Sequence, residues 1–211
     1  MEIVIILVIA AIVFAAVRFI RRTRPSPIDK DTKQALEILP ETFVVLDLET
    51  TGLDPERHEI IEIGAIRIKR NSIHHDGFLS LVRPKKKVPQ KITDMTGITQ
   101  AMLDEKGEPL EKAIREFHEF VGDLRLVAYN AEFDMAFLQR AGREYGIEFK
   151  NDVSCVLKMA RRAWPHRKSF KLKDLATDGG LDMSDQHRAL ADCKRAAAAY
   201  GAVVAELRRI D

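Results

Sequence analysis

The chain has 211 residues, of which 46% are hydrophobic and 31% are charged, and its formal net charge is +2. These values are typical of globular proteins and exclude the disordered and fibrous classes. The two cysteines, Cys155 and Cys193, form no CxxC pair and show no zinc-ligand spacing. We therefore predict neither a disulfide framework nor a zinc site, and this cysteine usage fits a reducing cytosol.

The first segment in chain order is strongly apolar. Residues 3–20 contain one charged residue, Arg18, and a run of this length is at the short end of what a membrane helix needs. Four arginines lie at its C-terminal side, whereas only Glu2 precedes it. By the positive-inside rule the rest of the chain stays in the cytoplasm. We therefore predict a single-pass transmembrane anchor in the cell membrane, with its basic flank, over residues 1–24.

Two other interpretations of this segment are a cleaved secretory signal peptide and a buried helix of a soluble domain. A signal peptide carries its positive charge before the apolar stretch, whereas here the arginines follow it.

Without residues 1–24 the chain retains 30 basic and 31 acidic residues, so nucleic-acid binding would require a local basic patch. Residues 25–42 begin with two nearby prolines and are predicted to be a spacer.

From Phe43 onwards the hydrophobic pattern predicts strands first, and alternating strands and helices afterwards. Three runs rich in Val, Ile and Leu are joined by short turn-rich links, which favours an antiparallel start of the sheet. A loop over residues 83–99 follows, after which the apolar spacing becomes helical. The predicted strands cover 43–49, 59–69, 77–83, 125–130 and 152–155, and the predicted helices cover 110–121, 131–146, 156–164 and 190–207. The predicted fold class is α/β, a mixed sheet of three antiparallel strands with later parallel additions, flanked by helices.

Two carboxylates interrupt the first strand, in the segment VVLDLETTGL. Alternate residues of a strand point to the same face, so Asp47 and Glu49 project side by side. Burying two like charges costs several kcal/mol per ion unless a cation compensates them. The compensating charge could be a salt bridge from Arg57 or Lys69, or a bound metal ion.

Two further aspartates stand among apolar residues: Asp134 in YNAEFDMAFL and Asp192 in QHRALADCKRAAAAY. Each alone could be a solvated aspartate on a helix surface. Together with Asp47 and Glu49 they form a set of four hard oxygen ligands without thiolate or imidazole spacing. This ligand chemistry selects Mg²⁺ or Mn²⁺ over zinc.

These three segments, in this order, resemble the three motifs of the DEDD exonuclease superfamily, in the branch with a histidine five residues before the last aspartate. The superfamily includes ribonuclease T and the proofreading subunit of bacterial replicative DNA polymerases. The resemblance covers about residues 43–205, and we place the exonuclease domain at 43–208. It implies a ribonuclease H-like fold and metal-dependent 3′ to 5′ removal of nucleotides as nucleoside 5′-monophosphates.

The same resemblance implies the roles of individual residues. The carboxylates that match the family's metal ligands are Asp47, Glu49, Asp134 and Asp192. They would hold two Mg²⁺ or Mn²⁺ ions, which suits in-line displacement at a phosphodiester. His187 matches the general base, and a neutral imidazole can accept a proton from water. Tyr129 departs from the histidine often seen before the asparagine of the second motif.

His187 cannot share a helix face with Asp192. At about 100° per residue the two would lie about 140° apart on a continuous helix. We therefore predict that His187 belongs to a loop or first turn, with Ser184 or Asp185 as the helix cap. An exposed capping histidine without a catalytic role is the alternative.

The turn after the first strand is the predicted start of the substrate site. As the first motif implies, Thr50, Thr51 and Gly52 would donate hydrogen bonds to a terminal nucleotide, and Leu53 would pack on the last base. Asn130 would order the site or reach the sugar. All of these residues except Leu53 are also ordinary turn formers.

Two basic stretches, residues 83–91 and 160–173, are candidates for contact with a phosphate backbone, although charge runs are usually solvated surface. The second contains Trp164 and Phe170, which could stack on unpaired bases. We therefore expect the partner to be a nucleic acid with a 3′ end, in single-stranded form. The alternative function is a noncatalytic membrane-tethered module that binds nucleic acid or serves as a scaffold.

Overall fold

The computed structural model describes residues 39–70, 72–183, 185 and 187–210. The predicted anchor over residues 1–24 and most of the predicted spacer lie outside these ranges. Among the residues that are described, no helix is both long enough and apolar enough to cross a membrane.

One mixed sheet of five strands runs through the described part of the chain. The strands are β1 (Thr42–Thr50), β2 (Ile60–Lys69), β3 (Asp76–Leu81), β4 (Arg125–Ala128) and β5 (Val153–Cys155). Their order across the sheet is β3-β2-β1-β4-β5, with β1 in the centre. β2 pairs antiparallel with both β1 and β3, whereas β4 and β5 are added in parallel. The predicted α/β class, with three antiparallel strands and later parallel additions, is confirmed.

Helices cover both faces of this sheet. They are α1 (Gln90–Thr96), α2 (Gln100–Lys106), α3 (Leu110–Val121), α4 (Ala131–Tyr145), α5 (Val156–Ala163), α6 (Leu172–Asp178) and α7 (Ala189–Ile210). The helices predicted over 110–121, 131–146, 156–164 and 190–207 correspond to α3, α4, α5 and α7. Because these four bury an apolar stripe, their sequence spacing is informative.

The side chains of β1 divide between two cores. Val44, Leu46 and Leu48 join the core under α3 and α4. Phe43 and Val45 join the opposite core, under α5, α6 and α7, where the Phe43 ring meets Tyr200 of α7 edge-on at a centroid distance of 5.5 Å. The alternation of a strand therefore directs residues 47 and 49 toward the side of α7.

Three helices were not predicted, and the predicted loop over 83–99 is wrong in its second half. There α1 begins after Pro89 and ends at Thr96, and Gly97 caps it with a left-handed φ of 72°. The buried residues of α1 and α2 are only Thr96 and Leu103. With one buried position each, these short helices carry no apolar periodicity. The third helix, α6, occupies part of the second basic stretch.

Candidate active site

β1 and β2 position the first two carboxylates. Asp47 lies opposite Gly64 and Glu49 lies opposite Glu62, and the pairing shifts register directly after Glu49. An irregularity of this kind bends a strand where it occurs. Asp47 is partly exposed, whereas Glu49 is 7% exposed. The predicted side-by-side projection of the two carboxylates agrees with this arrangement.

Gly64 allows the start of α7 to approach the sheet closely. A Cβ atom on Gly64 would lie 2.5 Å from the Cβ of Ala189 and 2.7 Å from its carbonyl carbon. Glycine is therefore the residue that fits without displacing the helix. The Cys193 thiol adds a contact by donating to the Gly64 carbonyl oxygen at 3.3 Å. This packing brings Asp192, in the first turn of α7, to the carboxylates of β1.

Asp134 reaches the same place from α4. The parallel pairing of β4 with β1 ends at Val45, and further along β1 the Leu48 amide donates to Oδ1 of Asp134 at 3.2 Å. Asp134 is 4% exposed and lies in the first turn of α4, where the helix dipole favours a carboxylate. A main-chain hydrogen bond thus ties the Asp134 carboxylate to the backbone of β1, at the residue between Asp47 and Glu49.

His187 lies in the turn before α7, as predicted from its angular separation from Asp192 on a helix. It is exposed and has a positive φ of 57°, and its amide donates to Oδ2 of Asp192 at 3.2 Å. Potential ligand atoms of Glu49, His187 and Asp192 all lie within 4.8 Å of one another. Asp47 and Asp134 lie outside this group of three. Besides burial, the charge of Asp134 raises the pKa of Glu49, and the charges of Glu49 and Asp192 raise the pKa of Asp47.

Burial and mutual repulsion perturb the acidic residues of β1 and α4. Burial raises the pKa of Glu49 from its ordinary value of 4.5 to about 8, and the charges of Asp192 and Glu62 add to the effect. Burial also raises the pKa of Asp134 to about 7. The pKa of Asp47 stands well above its usual range because of desolvation and the neighbouring charges of Asp134 and Glu49. A bound cation would relieve this repulsion.

A buried ion pair beneath the site was missed by sequence reasoning. Glu62, which is 0% exposed, accepts a hydrogen bond from Nη2 of Arg188 at 2.7 Å. Its other oxygen accepts from the Ala189 amide at 2.8 Å. Glu62 thereby caps α7 from the sheet. This capping role was predicted for Asp185 or Ser184. Of these two, Ser184 lies outside the described residues. No local pattern joins residues 62 and 188, so a sequence signal for this pair was lacking.

The alternative was a salt bridge from Arg57 or Lys69 to the carboxylates of β1. In the part of the chain that the structure describes, this salt bridge does not form. Lys69 pairs with Asp76 at 3.0 Å. Among the described residues neither Asp47 nor Glu49 takes part in an ion pair within 4.0 Å. Within the described residues, salt bridges therefore do not compensate the β1 carboxylates.

The turn after β1 is held mainly by its own hydrogen bonds. The Thr50 hydroxyl donates to the Gly52 carbonyl at 2.7 Å. The Thr51 amide donates to the Glu59 carbonyl at 2.9 Å, and the Thr51 hydroxyl accepts from the Glu59 amide at 2.9 Å. Several of the donors predicted to contact a nucleotide are therefore engaged inside the turn.

The remaining predicted substrate residues differ in exposure. A Cβ on Gly52 would lie 2.4 Å from the His58 ring, so this glycine permits the packing of the turn. Leu53 is 82% exposed, which leaves an apolar side chain available beside the site. Asn130 is exposed and precedes α4, the helix that carries Asp134.

The two basic stretches have different surroundings. In the first, Lys85 pairs with Glu144 at 3.0 Å, and the amides of Lys85 and Lys86 bind the Glu59 carboxylate. In the second, Trp164 and Phe170 are partly buried against the core beneath α7, which limits the predicted stacking on bases. The exposed lysines of the second stretch are Lys168, Lys171 and Lys173.

The Phe170 carbonyl accepts a hydrogen bond from the Tyr129 hydroxyl. Tyr129, where the sequence departs from the family pattern, therefore ties the second basic stretch to the end of β4.

The donor set fits a hard divalent cation. Ligand atoms of Glu49 and Asp192 lie within 4.8 Å of each other, the charges of Asp47 and Asp134 interact with them, and oxygen ligands of this kind suit Mg²⁺ and Mn²⁺. The neighbouring sulfur of Cys193 is buried and engaged with the Gly64 carbonyl, so the thiol is not part of the ligand set. The fold and the site together define a mixed α/β protein with a clustered acidic site beside its central strand.

Comparison with known proteins identifies the family within this class. A family model described as exonuclease (RNase_T) matches residues 44–200. The DNA polymerase III subunit epsilon of Aquifex aeolicus (strain VF5) is 38% identical over 180 residues, which cover 84% of this chain and 88% of that protein. The PolC-type DNA polymerase III of Clostridium perfringens (strain 13 / Type A) is 39% identical over 162 residues, or 76% of this chain and 11% of that much longer protein.

The fold also matches a solved structure. Exonuclease I of E. coli in complex with a dT13 oligonucleotide gives a TM-score of 0.70 at 22% identity, over 81% of this chain and 42% of that chain. The chain belongs to the exonuclease (RNase_T) family. The predicted resemblance and the predicted enzyme class, an exonuclease, are thereby confirmed.

Proposed function

We propose that this protein is a membrane-anchored, metal-dependent 3′ to 5′ exonuclease that releases nucleoside 5′-monophosphates. The observation that carries the proposal is a cluster built from distant parts of the chain, in which potential ligand atoms of Glu49, His187 and Asp192 lie together and the charges of Asp47 and Asp134 interact with the same carboxylates. One potential ligand atom from each of Glu49, His187 and Asp192 lies within 4.8 Å of the others.

The proposed roles follow from chemistry and position. Asp47, Glu49, Asp134 and Asp192 would hold two Mg²⁺ or Mn²⁺ ions. When bound, such ions supply Lewis-acid stabilisation of the attacking and leaving oxygens of a phosphodiester. His187, which is exposed, would take the proton of the attacking water. The hydrogen bond from its backbone amide to the Asp192 carboxylate keeps this base beside the ligands.

The proposed substrate is a single-stranded nucleic acid with a free 3′ end. Support comes from the match to a structure that holds an oligonucleotide and from exposed Leu53, which offers an apolar surface for a terminal base. Thr50, Thr51, Gly52 and Asn130 shape the pocket around that nucleotide. The exposed lysines of residues 160–173 bind backbone phosphates farther from the end.

Direct assay of the full chain tests the nuclease proposal. Single strands labelled at the 3′ or 5′ end are incubated with Mg²⁺, with Mn²⁺, or with EDTA. We expect early loss of the 3′ label, a ladder of shortened 5′-labelled products, and no reaction in EDTA or with Asp47→Asn. A folded chain that binds the strands without cleaving them would instead identify the noncatalytic module. Cleavage that proceeds equally in the Asp47→Asn preparation would indicate a contaminating nuclease.

The proposed location is the cell membrane, with residues 3–20 as a single-pass anchor, residues 25–42 as a spacer and the exonuclease domain 43–208 in the cytoplasm. Support comes from the apolar run and the arginines that follow it. Replacing Val8 and Ile12 by arginine should release the full chain from membranes at alkaline pH, since each buried arginine costs about 2.5–3.5 kcal/mol. A chain shortened at its N-terminus would indicate a cleaved signal peptide, and a wild-type chain that alkaline washing extracts would contradict the anchor.

A further inference from the structure

Arg195 is a buried arginine close to the acidic site. Its side chain is 5% exposed, and it lies on α7 three residues after Asp192. Nη1 of Arg195 donates to Oδ1 of Asp192 at 2.7 Å. One oxygen of a proposed metal ligand is thereby fixed by a charge-assisted hydrogen bond.

The same guanidinium also binds the segment that carries His187. Nε and Nη2 of Arg195 both donate to the Asp182 carbonyl, each at 3.1 Å, and Nη1 is 3.5 Å from the Asp185 carbonyl. A guanidinium is a planar fork with five donors, so one side chain can bind a carboxylate and two carbonyls together. A lysine ammonium lacks this fixed geometry.

The backbone that Arg195 holds has an uncommon conformation. Asp185 and His187 have φ values of 54° and 57°, in the left-handed region that non-glycine residues seldom adopt. Such residues persist where surrounding contacts enforce them. The contacts here are the Arg195 bonds to the carbonyls of residues 182 and 185, and the bond from the His187 amide to Oδ2 of Asp192.

Arg195 is therefore linked to His187 indirectly, by two routes. One passes through the carbonyls of the turn, and the other passes through Asp192, whose two oxygens bind Arg195 and the His187 amide respectively. The Asp192 carboxylate thus contacts both Arg195 and the backbone of the residue that carries the proposed base. An arginine serving stability alone could instead be replaced by an apolar residue of similar volume, because burying an ion pair is seldom a net gain.

We propose that Arg195 is a positioning residue, which aligns Asp192 for metal binding and fixes the turn that presents His187. This inference rests on the exonuclease function proposed above. Arg195 itself has no contact with the reacting atoms in this scheme. Its effect should therefore appear in metal affinity and in kcat, and much less in KM.

The test compares full-length variants that keep the fold of α7. Arg195→Met removes the charge and the donors while keeping apolar volume. Arg195→Lys keeps the charge and the pair with Asp192. The matched control is Arg209→Met, because Arg209 pairs with Glu206 at 2.6 Å with the same three-residue spacing, far along the same helix.

Each variant is checked for folding by circular dichroism. Mn²⁺ affinity is then measured by calorimetry, and kcat and KM are measured on a labelled single strand. Because second-sphere partners of a metal site are worth about 10- to 100-fold in affinity or activity, we expect Arg195→Met to lower both Mn²⁺ affinity and kcat in that range. Arg195→Lys should keep Mn²⁺ affinity within about 3-fold and lose about 10-fold in kcat.

A folded Arg195→Met whose Mn²⁺ affinity and kcat both match those of Arg209→Met would overturn the inference. If the methionine variant fails to fold, wild-type kcat in Arg195→Lys would overturn it equally. The binding measurement is independent of turnover. An inactive wild-type chain that binds Mn²⁺ would therefore count against the proposed function, while the comparison of affinities would still decide the role of Arg195.

Discussion

Replacing Glu49 by glutamine should stabilise the metal-free protein while destroying its proposed activity. Glu49 is 7% exposed, and its pKa is raised from 4.5 to about 8. A carboxyl with a raised folded-state pKa binds its proton more tightly in the folded than in the unfolded chain. Its contribution to stability is therefore greatest below about pH 4.5 and is lost as the pH rises through about 8. The neutral amide avoids this loss.

The magnitude follows from the pKa difference. At about 1.4 kcal/mol per pKa unit, the ionisation of Glu49 costs the folded state about 4 kcal/mol at pH 8 and about 1 kcal/mol at pH 5. Some of this is offset because a buried amide needs hydrogen-bond partners, so we expect a gain of about 2–4 kcal/mol at pH 8. For a chain of this size the gain corresponds to an increase of roughly 5–15 °C in Tm.

Thermal unfolding of the full chain in EDTA, followed by circular dichroism at pH 5 and pH 8, measures this difference. Glu105→Gln is the matched control, because it removes the same charge from an exposed position. Added Mn²⁺ should stabilise the wild type and have much less effect on Glu49→Gln. A Glu49→Gln variant that is no more stable than the wild type in EDTA at pH 8 would refute the electrostatic reasoning.

Three further predictions concern the base, the packing beneath the site and the surface. His187→Ala should lower kcat by about 10²–10⁴-fold with Mn²⁺ affinity and KM nearly unchanged, and calorimetry that instead showed lost binding with normal turnover would reject its role. Gly64→Ala should cost about 1–3 kcal/mol of stability and reduce activity, because the new Cβ would meet Ala189 at 2.5 Å. Gly77→Ala, with no atom within 4 Å of the new Cβ, should show neither effect in the same denaturation and activity assays. The joint change Lys168→Glu and Lys171→Glu should raise KM for long strands and reduce its salt dependence, and a KM that did not respond would remove residues 160–173 from the substrate path.

The sequence predicted those parts of the fold whose signals are local. In β1 the apolar residues Val44, Leu46 and Leu48 alternate with Asp47 and Glu49, which establishes both the strand and the common face of the carboxylates. The turn position of His187 followed from the angular spacing of a helix. The short helices α1 and α2 escaped prediction because each has only one buried residue and thus no periodic apolar stripe.

The parts of the site that sequence reasoning missed depend on distant pairs. Glu62 and Arg188 are 126 residues apart in the chain, and their ion pair exists only because α7 folds back onto β2. Arg195 looks like one more basic residue in an alanine-rich helix, although it is 5% exposed and binds Asp192. The one local signal was Gly64, since glycine inside a strand often marks a close approach of backbone.

The central claim is that the clustered carboxylates hold a pair of divalent cations. Calorimetric titration of the metal-free full chain with Mn²⁺, in the presence of a nucleoside 5′-monophosphate, tests it most directly. We predict binding of two ions per chain by the wild type, and loss of that binding in Asp47→Asn. A folded wild-type chain that binds no Mn²⁺ under these conditions would contradict the account.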